Sequence, residues 1–556
     1  MKNYSKFYGF LLAGAFCCTG SAAFAQDDDQ SSDKGWINAS FETNSIFYRK
    51  DPKAALLNMA YPKDHVASNN YLKFDYTKGR FSTGFQLESY LPVLAGYPTE
   101  LKGTKLTNLY AQWADRDFTV TGGTFYDQFG SGLLFRSYEE RMLGFNNALL
   151  GARATYSYKG MVNVKALWGT PRFGVTYDTR TQVRGGDLSL SIGDMCGWNN
   201  TSLFVEGSVL NVFIDDVSDE TAMYMNPNRM GYSGRINLET GGFTAKLEYV
   251  DNGVNYYSDV KLPDPDAFLR KRGNAQLIEV GYNDRGLGIF VSARRLAWMK
   301  SEILFNNGST LNTLNYVPAM SLQHTYMLAT LNPFIPQLGQ ITTEGLNVMG
   351  EIGGQADIYY TFRKGSTLGG KRGLKVHANF ATYYSLKEGA KMKARNLTYR
   401  DLTIDFEKWF SRKFKLTMLY SMQENNHSYG LNPETELNNV IVADMIYKFN
   451  TDYSLRWELQ YLFGDTNSKE RDWMAALVEF NVAPKWSLYV SDMYNHGHKN
   501  ENMRIHYYDA GISFAQSHTR LQLSYGRHRA GYVCSGGVCR MQPAYTGFNF
   551  AMTMTF

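Results

Sequence analysis

The sequence predicts an all-β chain closed into a transmembrane antiparallel β-barrel, and three observations carry that expectation. Long segments alternate apolar with polar residues at bilayer length, connections alternate short with long, and the last segment ends on an aromatic residue, Phe556. The alternation is cleanest from Tyr453. Tyr453, Leu455, Trp457, Leu459, Tyr461 and Phe463 share one face, and Ser454, Arg456, Glu458, Gln460 and Leu462 the other. A run of about 11 residues is what a tilted strand needs to cross a bilayer, roughly twice the length of an ordinary soluble strand. Leu72, Phe74 and Tyr76 repeat the pattern, as do Phe243 to Tyr249 and Leu402 to Phe406.

Composition agrees. The chain holds 39 Tyr and 34 Phe, with 51 Gly against 14 Pro, which suits many strands, Gly-bearing turns and aromatic belts at two interfaces. Beyond the N-terminus no stretch approaches 18 consecutive apolar residues, which excludes transmembrane helices and leaves a barrel open. The 57 basic and 52 acidic residues are too evenly mixed to argue for a nucleic-acid partner.

Residues 1–25 read as a secretory signal. Lys2 and Lys6 give the positive start, Phe10 to Thr19 the apolar core, and Ala23-Phe24-Ala25 the cleavage site. Cys17 and Cys18 invite a lipoprotein reading, but Phe16 stands where a small residue is needed. Residues 26–34 form an acidic, Ser-bearing linker, and 35–556 the barrel. So short a linker leaves no room for a plug domain, so a TonB-dependent transporter is not expected.

Short connections fall at Lys78-Gly79, Asp115-Arg116, Lys159-Gly160, Gly241-Gly242, Asp284 to Gly286, Ser411-Arg412, Asn450-Thr451, Ala483 to Lys485 and Gln516-Ser517. Longer polar ones lie between them, such as Phe129 to Gly144, Asp251 to Arg272, Leu386 to Asn396, Glu424 to Glu436 and Ala530 to Gln542. This rhythm counts about 24 strands (range about 20–26), with short periplasmic turns, long extracellular loops and both termini periplasmic. Trp298 to Met349 is too long for an ordinary loop and holds a candidate extra strand, Gln323 to Leu331.

Candidate functional residues follow from the polar face. Lys73, Asp75, Glu88, Lys165, Lys246, Glu248, Glu279, Lys375, His377, Asp405, Glu407, Lys415, Arg456 and Glu458 are expected to line the lumen. With both signs in near balance, that lining suits water or packed internal loops rather than a strongly ion-selective filter. Tyr126 to Tyr158 places Arg136, Glu139, Glu140 and Arg141 among Gly and aromatics, as a constriction loop or a structured external loop. Tyr316 to Gln337, with three prolines and few charges, is a second candidate for packing inside. Cys534 and Cys539 enclose four residues and are expected to form a disulfide outside the cell, worth about 2 kcal/mol by chain entropy. Cys196 is left over, expected buried or at a turn.

Catalytic and metal constellations are weak. His496-Gly497-His498 near Asp492 and Asn502, and the acidic stretch Asp251 to Asp266, read better as solvated loops. There is no GxSxG and no HExxH, so an enzyme is not expected, and no cofactor or metal is implied.

The final strand ending on Phe556 resembles the sorting signal of outer-membrane barrels, which implies the barrel assembly machinery and outer-membrane lipid as partners. The stretches Tyr126 to Tyr158 and Tyr316 to Gln337, with Gly365 to Gly373 and Ala293 to Arg295, resemble a family of large uncharacterised outer-membrane barrels of Bacteroidota. That resemblance implies a bacterial outer-membrane location and carries no activity. The functional expectation is a constricted channel, porin-like or for solute uptake, with a mixed-charge lumen. The alternative is a structural or assembly subunit with a filled lumen and an envelope protein partner.

Overall fold

The computed structural model describes residues 35–55, 64–215, 227–258, 268–303, 312–341, 347–387, 394–535 and 538–556. The signal peptide, Cys17, Cys18 and the linker expected from the sequence lie outside these residues, as do Asp259, Asp264 and Asp266 of the acidic stretch.

Among the described residues, one antiparallel sheet of 25 strands closes on itself. One of these is the two-residue segment Thr176–Tyr177, which leaves 24 staves. The first are β1 (Trp36–Arg49), β2 (Val66–Lys78), β3 (Phe81–Tyr90), β4 (Gly103–Ala114), β5 (Phe118–Phe125) and β6 (Leu149–Tyr158). Next come β7 (Val162–Phe173), β8 (Thr181–Ser191), β9 (Thr201–Ile214), β10 (Asn228–Thr240), β11 (Phe243–Ser258) and β12 (Phe268–Asp284). The third quarter is β13 (Leu287–Ala297), β14 (Gly350–Phe362), β15 (Leu374–Leu386), β16 (Ala394–Trp409), β17 (Phe414–Asn425) and β18 (Glu436–Lys448). The last is β19 (Tyr453–Phe463), β20 (Trp473–Val482), β21 (Trp486–Tyr494), β22 (His506–Gln516), β23 (Thr519–His528) and β24 (Tyr545–Thr555). Each pairs with its sequence neighbours, and β24 returns to β1 from Ser40↔Thr555 to Arg49↔Thr546. The backbone of Phe556 completes the seam, its N–H donating to the Ala39 carbonyl at 2.7 Å. Closure leaves no open edge, the condition a sheet must meet in lipid.

Connections of a few residues gather at one end. At Gly242, φ is +83° and a Cβ would come within 2.5 Å of the Asn283 carbonyl, so only Gly fits so tight a turn. Two connections at this end are longer than the sequence rhythm implied: 192–200, with a short helix at Ile192–Met195, and 363–373. Cys196 sits exposed just after that helix. The long connections occupy the other end. One of them, expected over Asp251 to Arg272, is shorter, because β11 runs on to Ser258 and β12 starts at Phe268.

The outward face is what lipid requires. Leu109, Val120, Leu188, Val209, Ile236, Leu247, Ile278, Val291, Ile404, Ile441, Leu459 and Val490 stand exposed along the staves. Towards the short turns this band is bordered by exposed Trp36, Phe81, Trp113, Phe118, Tyr158, Tyr282, Phe410, Tyr453 and Trp486. Towards the long connections it is bordered by Phe47, Trp168, Tyr232, Tyr249, Tyr420, Phe463 and Phe548. Amphipathic rings at two heights with aliphatics between mark a barrel lying in a bilayer.

Candidate functional site

Two long connections fold back into the barrel and meet there. The first, residues 126–148 between β5 and β6, is built from two miniature pairings. Gln128–Phe129 pairs with Phe135–Arg136, and Glu139–Glu140 with Phe145–Asn146. Gly130 makes the first turn at φ +54°, where a Cβ would come within 2.5 Å of Arg235 and Glu248 on the wall. The turn buries Phe129, Leu133, Leu134 and Phe135 completely.

The second connection runs from Trp298 to Met349. Its backbone joins the first: Arg136 N–H donates to the Leu314 carbonyl at 3.0 Å, and Tyr316 N–H to the Gly132 carbonyl at 2.9 Å. The Asn315 amide donates to the carbonyls of Leu133 and Met299, and Asn147 to those of Arg136 and Thr313. Gln323 to Leu331 is not the extra strand expected from the sequence. It is irregular, ending in a turn, because its polar groups are taken up by wall side chains rather than by a sheet partner. His324 meets Asp401 at 2.5 Å, Leu328 N–H donates to Gln460 at 2.8 Å, and Gln423 donates to the Ala329 carbonyl at 2.9 Å. Further on, Phe334 is stacked between Tyr383 at 4.4 Å and Tyr399 at 4.8 Å.

The wall partners of these two segments run almost round the barrel. The first segment reaches Glu42 on β1, Tyr71 on β2, Gln86 on β3, Asn108 on β4 and Arg153 on β6. The second reaches Thr181 on β8, Arg229 on β10, Arg294 on β13, Tyr383 on β15 and Asp444 on β18. Segments that touch so many staves of a closed barrel lie inside it. Together with inward side chains such as Leu210, Val212, Val250, Leu277 and Leu296 they form a dry core across the long-connection half of the lumen. A second cluster seats Leu328 and Ala329 against Val440, Val442, Trp473 and Tyr507.

Ion pairs tie plug to wall and wall to wall. Among the described residues, two of them are fully buried. Arg172 forks onto Glu88 with contacts of 2.7 and 2.5 Å, and Arg294 binds Glu351 at 2.6 Å while also donating to the Pro318 carbonyl. Glu351 in turn accepts from Gln337 N–H at 2.9 Å. Such pairs offset a large desolvation cost only with good geometry and further hydrogen bonds, which Glu88 draws from Gln86, Tyr90 and Thr107 and Glu351 from Gln337. Asp127 at the root of the first segment holds Lys165 at 2.7 Å and Arg153 at 3.2 Å, and Glu248 accepts from Ser131 N–H.

The sequence-expected lining residues fall into this lattice as follows. Lys73 pairs with Asp75 at 3.1 Å, and Lys246 lies 3.8 Å from Glu248 and 3.5 Å from Glu279. Glu407 binds Lys375 and Lys415, His377 sits between Asp357 and Asp405, and Arg456 joins Asp444, Glu458 and Glu479. In the expected constriction loop, Arg136 stacks between the rings of Tyr138 and Tyr316, and Arg141 binds Glu42 at 2.8 Å and Glu139 at 3.4 Å. Glu140 accepts from Ser535 at 2.7 Å, which links the plug to the hairpin Gly531–Ser535/Val538–Gln542. Cys534 and Cys539 are joined in that hairpin. Asp492 pairs with His506 rather than with His496 or His498. Among the described residues no group of three or more His, Cys, Asp or Glu is placed to hold a metal.

Sequence reading missed Asp127, Arg172, Arg235, Arg294, Glu351 and Asp401. Strand parity would have found Arg294, since exposed Val291 puts it on the inner face. No such signal existed for Arg172, which lies beyond Pro171 where β7 has left its pairing with β6.

A family model described as "Family of unknown function (DUF6029)" matches residues 4–556. No curated protein matches the chain. Among solved structures it is similar to the siderophore receptor PirA from Pseudomonas aeruginosa, at 8% identity and TM-score 0.41, covering 95% of this chain and 81% of that one. The copper transporter OprC gives 8% and 0.41 over 96% and 82%, and the P pilus usher PapC translocation pore 8% and 0.39 over 94% and 99%. At such identities and scores none bears on what this chain does.

Proposed function

Because this chain belongs to the family of unknown function DUF6029, no named activity comes with its relatives, and we propose from its own interior that it is a gated solute channel of the bacterial outer membrane. The observation that carries this reading is the contrast between the two halves of the lumen. Towards the short turns the lining is charged and wetted, with Lys375 67% and Lys73 46% exposed. Towards the long connections the same lumen is occupied by the two inward-folded segments and their buried apolar clusters, which we read as a plug. An empty barrel of this width would leak solutes, and a lining of both signs exerts little ionic selection, so control falls to the plug. A barrel that served only as a docking support would have no use for a wetted half-channel leading up to a seal.

The second reading is a permanently sealed subunit that docks an envelope protein, and the buried Arg294–Glu351 lock favours it. Planar-bilayer recordings separate the two. We expect near-silent wild-type protein and stable, larger conductance once residues 300–347 are removed, with heat-modifiable gel mobility kept as the sign of a folded barrel. Wild-type protein that never opens while the shortened form conducts, with reproducible co-purification of another envelope protein, would turn the assignment to the sealed subunit. In the proposed orientation short turns and both termini are periplasmic, the disulfide hairpin is outside, residues 1–25 direct secretion, and Phe556 is read by the barrel assembly machinery.

A further inference from the structure

Above the plug, at the long-connection end, lies a cavity of 580 Å³ that the lumen lattice does not use. Leu331 to Gln337 of the plug form its floor, pinned by Phe334 in its aromatic sandwich. One wall is the connection between β17 and β18, and it is preorganised. The Asn426 side chain accepts from the N–H groups of Ser428 and Gly430, at 3.0 and 3.1 Å, and donates to the Asn432 carbonyl at 2.8 Å. That knot holds Tyr429 at φ +56°, and the residue is 39% exposed. Tyr532, from the disulfide hairpin, lines the cavity with a second exposed ring.

Among the described residues, four of the five charged groups in the lining are matched to one another, His427 with Glu436 at 3.3 Å and Arg529 with Glu470 at 3.4 Å, and the fifth, Lys469, is exposed. Two neutral polar groups are not matched. The Thr398 hydroxyl and the Asn425 NH2 are buried and, among the described residues, have no hydrogen-bond partner. Thr398, 7% exposed, sits at a β-bulge, since the register slips between Tyr383↔Tyr399 and Tyr384↔Leu397. Bulges re-aim side chains, and buried polar groups left unsatisfied are costly, so such an arrangement calls for a ligand.

We propose that this cavity binds a neutral saccharide. A pyranose ring presents an apolar C–H face to aromatic rings and a rim of hydroxyls that both donate and accept. A ring lying on Tyr429 or Tyr532 would turn its hydroxyl rim towards Thr398 and Asn425, which line the same cavity. An anion would find only the exposed Lys469 outside an ion pair, and an aliphatic ligand would leave both polar groups stranded. The volume lies in the ordinary range for small-ligand sites. Its floor belongs to the plug, so the site is defined with the plug in place, whether that plug gates a channel or fills the lumen permanently.

Saturation-transfer NMR on the purified full-length barrel in detergent tests this with maltotriose, mannotriose and xylotriose as neutral probes and trigalacturonate as an acidic one. At least one neutral trisaccharide should receive saturation. Tyr429→Ala should weaken its binding about tenfold or more, and Thr398→Val about threefold to tenfold, as expected for one lost hydrogen bond. Lys469→Gln, which changes the exposed cation of the lining, should leave it unaltered. Heat-modifiable mobility of each variant checks folding, and Asn425→Leu supplies a second probe should Tyr429→Ala fail that check. Transfer to none of the neutral probes, transfer to trigalacturonate alone, or neutral binding indifferent to both the tyrosine and the threonine change would overturn the assignment.

Discussion

Arg294 and Arg295 are neighbours that the alternation of β13 sends to opposite faces. Arg294 points into the lumen and is fully buried on Glu351, whereas Arg295 points outward to the side-chain oxygens of Asn274 and Gln276. The inner one is strongly coupled. Glu351→Ala strands a buried guanidinium and should cost about 3–5 kcal/mol, while replacing both partners with Met should recover most of that loss. Thermal unfolding in detergent reads the difference, and equal midpoints for the single and double variants would show that the pair is not coupled. At the mouth, His427 offers a milder, titratable contact. Its hydrogen bond to Glu436 holds the imidazole above its ordinary value of 6.5. A raised folded-state pKa means a contribution fully present below pH 6.5 and lost as pH climbs through the higher folded value. The imidazole proton resonances should titrate above 6.5 in the wild type and move back towards it in Glu436→Gln. An unchanged midpoint in that variant would remove Glu436 as the cause. Residues such as Asp75, Glu279 and Glu458 were legible because parity alone assigns them a face. Arg172 and Asp127 were not, because each lies where the chain leaves the sheet.

Elements divide in the same way. The staves were readable wherever six or more residues alternate, because only one register hides the polar face from lipid. The inward-folded connections were not, since their order comes from contacts made across the lumen rather than from a period. Gln323 to Leu331 shows the failure most directly: its spacing allowed a strand, yet an interior segment ringed by Asp401, Gln423, Asp444 and Gln460 has side-chain partners and no sheet edge. The disulfide hairpin was legible from spacing, and its place at the long-connection end gives a test of orientation. Cys196 lies exposed at the opposite end, so the three cysteines outside the expected signal peptide report on both sides. An impermeant maleimide on intact cells should label none of them, should label Cys534 and Cys539 after an impermeant reductant, and should reach Cys196 only once the outer membrane is breached. Labelling of Cys196 on intact, unreduced cells would invert the barrel.

For the molecule as a whole, the decisive event is the meeting of β24 with β1, two segments some five hundred residues apart that must find each other to abolish the last edges. Until they pair, both present unsatisfied N–H and C=O groups, which the bilayer core penalises by several kcal/mol per group. The seam ends on Phe556, whose N–H donates to the Ala39 carbonyl and whose carbonyl accepts from Ala39 N–H at 3.3 Å. Its ring stands partly exposed on the face that carries Phe548. Thr555, paired with Ser40, belongs to the other face. An aspartate at 556 therefore places a charge at the lipid interface beside the seam, whereas one at 555 places it towards a wetted lumen. Removing Phe556 also deletes both of its bonds to Ala39, so deletion should be at least as damaging as Phe556→Asp. Both should lower the amount of heat-modifiable barrel in the membrane fraction several-fold, and Thr555→Asp should change it little. If Thr555→Asp were as damaging as Phe556→Asp, the terminal ring would hold no special place in closing the barrel, and the charge alone would account for the loss.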